Sequence, residues 1–217
     1  MKEINNYIEH TLLKPDATEA ELKKLFDEAV AYKFLGVCVN PVNVRFAKEY
    51  LNGSNVKIVT VVGFPLGASR SDVKAFETAK AIEDGADEVD MVLNITAMKD
   101  KKYSLVQSDL EAVVAAAGAI PVKVILETDL LTSDEIKQAS LICAKSGASF
   151  VKTSTGFVKN GAGAKAPDVR VMYETVKDFG LEVKASGGIK TYDDAVKLIE
   201  AGAARLGTSS GAAIVKG

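Results

Sequence analysis

Seven times along this chain a glycine closes a helix-like segment, and an apolar run short enough to be a strand follows at once. The glycines are Gly36, Gly53, Gly85, Gly118, Gly147, Gly180 and Gly202. The runs after them are Val37–Val39, Val56–Val62, Glu88–Leu93, Pro121–Leu126, Phe150–Thr153, Glu182–Ala185 and Ala204–Leu206. Glycine suits the left-handed residue that ends a helix, which is why it punctuates so regularly. A run around His10–Leu13 supplies an eighth strand, with a short capping helix over Ile4 to Tyr7 before it. The runs carry little polar alternation, as expected of parallel strands covered on both sides. Eight βα units in 217 residues predict an α/β fold, a single-domain (β/α)8 TIM barrel over 1–217. An open doubly wound sheet is the alternative.

The first helix is marked most clearly. Thr18 and Glu21 form a T-x-x-E capping box, and Leu22, Leu25, Phe26, Ala29 and Val30 follow at helical spacing. No linker, charge block or low-complexity stretch divides the chain.

Composition narrows the function classes. A net charge of −2 gives no basic surface for nucleic acid. No stretch approaches the ~18 apolar residues of a membrane span, and MKEINNYIEH lacks an apolar leader core. Cys38 and Cys143 are too isolated for a C-x-x-C motif and read as buried free thiols of a reducing, cytoplasmic compartment. One histidine, His10, rules out a His-rich metal centre. No metal site is expected.

Two strands end alike. Val151-Lys152-Thr153-Ser154-Thr155-Gly156 and Val183-Lys184-Ala185-Ser186-Gly187-Gly188 share V-K-x-S-x-G. One βα unit apart, they place two lysines on neighbouring strands about 4.8 Å apart. A lone strand lysine more often snorkels its head to water. Two together suppress each other's protonation, and a neutral amine attacks carbonyls. Lys57 and Lys123 sit early in their strands, at the opposite face, and read as structural. Asp90, flanked by apolar residues in Glu88–Leu93, needs a buried partner, and a lysine from the opposite wall is the natural one. A purely structural ion pair is the alternative. Beyond the paired strands, Gly207-Thr208-Ser209-Ser210-Gly211 forms a glycine and hydroxyl cluster with Gly187-Gly188 and Thr155-Gly156, at the barrel end where phosphate is commonly held.

With these runs in view, the chain resembles the bacterial deoxyribose-phosphate aldolase family. The resemblance rests on V-D-M-V at Val89–Val92, the two lysine strands, H-T-L-L-K-P at His10–Pro15, V-G-F-P-L-G at Val62–Gly67 and L-G-T-S-S-G at Leu206–Gly211. It implies a class I aldolase without metal or cofactor, often a homodimer. Such an enzyme cleaves 2-deoxy-D-ribose 5-phosphate reversibly to D-glyceraldehyde 3-phosphate and acetaldehyde. By motif, Lys152 is the Schiff-base lysine, and Asp90 and Lys184 are the proton donor and acceptor. Thr155, Gly156, Gly187, Gly188, Gly207, Ser209 and Ser210 are the expected substrate and phosphate contacts. A phosphosugar isomerase or epimerase, and a phosphate-binding barrel without chemistry, are the competing readings. Three departures stand out. Glu9 replaces the family's usual Asp, Phe157 replaces a lysine found in some members, and the sequence ends at Gly217 without the tyrosine tail of others. The second implies a phosphate site built from neutral amides and hydroxyls. His10 is a rival base or a packed core residue, and Lys159–Lys165 is a lid or a solvated loop.

Overall fold

The apolar runs become eight parallel strands that hydrogen-bond in sequence order and close: β1 Ile8–Leu12, β2 Gly36–Val39, β3 Lys57–Val62, β4 Glu88–Val92, β5 Val122–Ile125, β6 Phe150–Lys152, β7 Glu182–Ser186 and β8 Ala203–Thr208. Closure comes from β1 on β8, where Glu9 pairs with Gly207 and His10 with Thr208. The computed structural model describes residues 3–216. The doubly wound alternative is excluded by that closed ring.

Helices α1 Glu19–Ala31, α2 Val44–Tyr50, α3 Ser71–Glu83, α4 Ile95–Lys99, α5 Tyr103–Ala117, α6 Ser133–Lys145, α7 Ala166–Val176, α8 Tyr192–Glu200 and α9 Gly211–Lys216 lie between or after the strands. Helix α1 starts as predicted, with the Thr18 and Glu21 capping box complete and Leu22, Leu25, Phe26 and Ala29 buried. Val30 belongs to the same apolar series but stays half exposed, at the edge of the stripe. The predicted capping helix is one 3-10 turn, Ile4–Tyr7, which packs Ile4 and Tyr7 against the core.

The glycine rhythm holds with one correction. After α1 the left-handed turn is made by Lys33, at φ 52°. Gly36 instead opens β2, where an added Cβ would lie 2.8 Å from the Lys57 carbonyl oxygen. Its role is close strand approach, not helix termination.

Two different environments fill the barrel. Outside the sheet, strand and helix side chains form one continuous apolar layer that includes Val37, Val39, Val89, Val151 and Val183. Inside, Leu13, Cys38, Val59 and Val61 make an apolar wall on the β1–β3 side. Facing that wall, the interior is charged: Glu9, Glu88, Asp90, Lys123, Lys152 and Lys184 are all buried. This asymmetry sets up the site.

Candidate active site

Strand register delivers the charged groups to one point. Lys152 pairs with Lys184 across β6 and β7, and Asp90 pairs with Lys123 across β4 and β5. From the far side of the lumen, Asp90 Oδ2 accepts from Lys152 Nζ at 2.7 Å and from Lys184 Nζ at 2.6 Å. Its Oδ1 accepts from Lys123 Nζ at 3.0 Å. The expected partner for Asp90 is therefore present three times over. Lys123 does not sit at the opposite face, as its early position in the strand suggests. Its long side chain runs up the lumen and joins the cluster, also meeting Glu88 at 2.6 Å. Lys57 does stay at that face, half exposed, 2.5 Å from Glu88.

Three buried lysines and three buried carboxylates balance one another. Burial alone would push Asp90 up, but Lys123, Lys152 and Lys184 outweigh it and hold the carboxyl well below the usual range. Burial likewise opposes the charge on Lys184, and Asp90 and Glu9 overcome it, so this ammonium is held strongly protonated. Glu9 lies beneath the cluster, fully buried and hydrogen-bonded to Lys184, 3.6 Å from Lys123. It does not line the cavity above, and its longer side chain is spent on the contact to Lys184.

Lys152 forms the floor of a cavity of about 340 Å³ at the C-terminal ends of the strands. Thr155, Gly156, Gly187, Gly188, Gly207, Ser209 and Ser210 all line it, while Asp90 and Lys184 lie behind Lys152. The Ser154 hydroxyl, buried in that wall, has no protein hydrogen-bond partner, which suits a ligand oxygen. Thr155 also holds its own loop: its N–H donates to Glu127 at 3.1 Å, and its hydroxyl donates to the same carboxylate.

Two cations missed in the sequence stand at the mouth. Lys14 and Lys190 are exposed and line the same cavity as the glycine turns. The cavity mouth is therefore not lined by neutral groups alone. Phe157 packs edge-on against Phe64, with centroids 5.1 Å apart, and makes an apolar rim. Both lysines lie in the loops just beyond strand ends, in L-L-K-P after β1 and G-G-I-K after β7, the same loops that supplied the glycines.

His10 takes no part. Its Nε2 lies 2.8 Å from Glu28 on α1, its Nδ1 3.3 Å from the Thr208 carbonyl, and its ring meets Phe34 edge-on. It is a hydrogen-bonded core residue turned towards the helices. Cys38 and Cys143 are free and buried, and burial pushes the Cys38 thiol up to about 11. No three His, Cys, Asp or Glu side chains among the described residues gather as a metal site.

Comparison with known proteins gives one answer at several levels. Residues 7–217 match the model of the DeoC/LacD family aldolases. The chain is 56% identical over 214 residues to deoxyribose-phosphate aldolase 1 of Mesoplasma florum, covering 99% of this chain and 96% of that one. It is 56% identical over 215 residues to the deoxyribose-phosphate aldolase of Streptococcus sanguinis, with the same coverage. Among solved structures, the tetrameric deoxyribose phosphate aldolase of Aeropyrum pernix superposes with a TM-score of 0.91 at 33% identity, covering 98% of this chain and 89% of that one. The aldolase QR15 gives 0.93 at 39%, covering 100% and 96%.

Proposed function

Because the chain belongs to the DeoC/LacD family of aldolases, we propose that it cleaves 2-deoxy-D-ribose 5-phosphate reversibly to D-glyceraldehyde 3-phosphate and acetaldehyde through an imine on Lys152. The observation that carries the residue assignment is the shared carboxylate. Lys152 Nζ sits at the cavity floor on the same Asp90 oxygen that binds Lys184. Only Lys152 of the two opens to the cavity.

In the cleavage direction, the Lys152 amine attacks C1 of the open-chain sugar. Water is lost and a protonated imine forms. The C3 hydroxyl gives up its proton, the C2–C3 bond breaks, and its electron pair moves into the imine to make an enamine. Glyceraldehyde 3-phosphate leaves. Protonation of the enamine carbon and hydrolysis of the new imine release acetaldehyde and restore the amine. Asp90 and Lys184 handle the protons, since they adjoin the amine and differ in charge.

The phosphate belongs at the rim, against Gly187, Gly188, Gly207, Ser209 and Ser210, with Lys14 and Lys190 close by. An isomerase would need a free carboxylate or histidine base. Asp90 is bound to three lysines, and His10 faces the helices. A homodimer in the cytoplasm is part of the proposal. Two reduced thiols suit that compartment, and no helix among the described residues is long and apolar enough to cross a membrane. Sedimentation would test the assembly, a tetramer being the outcome that overturns it.

The deciding experiment is reductive trapping. With acetaldehyde and borohydride, one adduct is expected, mapped by peptide mass to Lys152. An adduct on Lys184 would reverse the assignment, and none at all, with no cleavage of deoxyribose 5-phosphate, would remove the imine.

A further inference from the structure

Behind the phosphate rim lies a carboxylate that touches neither the cavity nor the charged cluster. Asp129 follows β5, and its side chain is only 10% exposed. Its Oδ2 accepts from the Gly163 N–H at 2.8 Å, and its Oδ1 lies 3.1 Å from Lys165 Nζ. Burial would raise this carboxyl, but the Gly163 amide and Lys165 together hold it below its usual range.

Gly163 in turn rests on the rim. The next amide, Ala164 N–H, donates to the Gly187 carbonyl at 3.0 Å. Gly163 has a φ of +74°, and a Cβ there would stand 2.5 Å from the Gly187 carbonyl carbon and oxygen. A Cβ on Gly188 would stand 2.6 Å from the Ala162 oxygen. The two backbones are in direct contact, and only glycine permits it. From Gly156 through Gly163 the loop carries three glycines, Gly156, Gly161 and Gly163, and Lys159, Asn160 and Gly161 are exposed. Such a segment has much backbone entropy to lose and little apolar surface to hold it.

We propose that Asp129 is a positioning residue for the substrate phosphate. It fastens the 158–165 loop against Gly187–Gly188 and so fixes the turn whose backbone meets the anion. The proposal deepens the aldolase reading and rests on it for the identity of the phosphosugar. The loop is thereby a buttress tied at its C-terminal end, not a freely opening lid.

The test compares wild type with Asp129→Ala and Asp129→Asn on deoxyribose 5-phosphate and on unphosphorylated deoxyribose. Binding of inorganic phosphate is titrated by calorimetry alongside. Asp129→Ala should raise KM for the phosphorylated sugar roughly tenfold, equivalent to ~1.4 kcal/mol, with kcat little changed. The free sugar should react as in wild type, and phosphate should bind more weakly by the same factor. Asp129→Asn keeps an acceptor for Gly163 and should recover most of the loss. Gly163→Ala, which forces the loop off Gly187, should repeat the KM effect with Asp129 intact and serves if Asp129→Ala fails to fold. Equal losses on both sugars, or unchanged phosphate binding in the folded variants, would overturn the proposal. A wild type that binds phosphate yet cleaves neither sugar would instead refute the aldolase reading, and the titration would still decide the role of Asp129.

Discussion

One oxygen atom, Asp90 Oδ2, receives two ammonium groups, and most residue-scale consequences start there. Removing the charge from Asp90 leaves three buried lysines short of a partner. Asp90→Asn should therefore do two things: lower turnover by roughly 10²–10⁴-fold, the usual worth of a positioned acid–base group, and cost about 3–5 kcal/mol of stability, as breaking buried pairs does. Stopped-flow turnover and urea unfolding measure the two separately, and a folded variant with near-normal turnover would reduce Asp90 to a structural ion pair. At the rim the charge question is sharper. Ser210→Asp sets a carboxylate at the proposed phosphate position and should raise KM for deoxyribose 5-phosphate while leaving unphosphorylated deoxyribose nearly unaffected. Lys190→Ala should act in the same direction, by a few-fold and less at high salt, because an exposed cation is screened within ~10 Å at 0.1 M. A Lys190 effect that ignored ionic strength would point to a lost contact other than charge. The paired lysines and Asp90 were legible in the sequence because charge inside an apolar strand is anomalous and demands a reason. Lys123 was placed wrongly because position along a strand fixes the Cα, and a four-carbon side chain then reaches a layer further. Glu127 and Asp129 gave no signal, since a carboxylate in a loop is ordinary until the loop is seen to fold over it.

At the scale of elements, the ring of helices hides a second buried ion pair, between α3 and α5. Lys74 and Asp109 are almost wholly buried, 2.6 Å apart, and Lys74 also donates to the Val92 carbonyl at 3.0 Å. The pair thus ties two helices to the end of β4, two residues beyond Asp90. Lys74→Met strands a carboxylate in an apolar layer and should cost about 3–5 kcal/mol. Adding Asp109→Leu should restore much of that loss, because a well-packed apolar pair is often no worse than the ions it replaces. Urea midpoints of the single and double variants check this, and a double variant as unstable as the single would show that the helices need the ions themselves. The sequence hid this pair because Lys74 and Asp109 are 35 residues apart, and each looks like a polar face of an amphipathic helix. Strands were far easier to read. All eight lie where the apolar runs predicted, since a strand covered on both sides has to be apolar throughout. The short helix α4 was missed: five residues, started by the Asn94 side chain accepting from the Ala97 amide at 3.0 Å, are too few to show a period.

Taken whole, the molecule wraps an apolar layer around a charged lumen, and that arrangement predicts how stability varies with pH. Glu88 and Asp90 bind protons more weakly folded than unfolded, because lysines surround them. The stability they contribute is present above their ordinary values of 4.5 and 3.8, and is lost as pH falls through their lower folded values. Lys123 and Lys184 are shifted the other way, upward from 10.5, by Asp90 and Glu9 against the pull of burial. Their contribution is complete below 10.5 and is lost as pH climbs through the raised values. Glu127 opposes the acid limb, since burial raises it, and the stability it adds below 4.5 fades as pH rises. Asp129, also held below its usual range, acts with Glu88 and Asp90 against it, so the net acid limb should still descend. The expected curve is a plateau of Tm from about pH 5 to 9 with a fall on each side, the alkaline one beginning with Cys38 and Cys143, whose thiols burial holds above their ordinary 9.0. Scanning calorimetry across that range, at fixed ionic strength, would measure it. A single maximum near the isoelectric point of 5.6 would mean that overall net charge sets the stability of this barrel and the buried pairs do not.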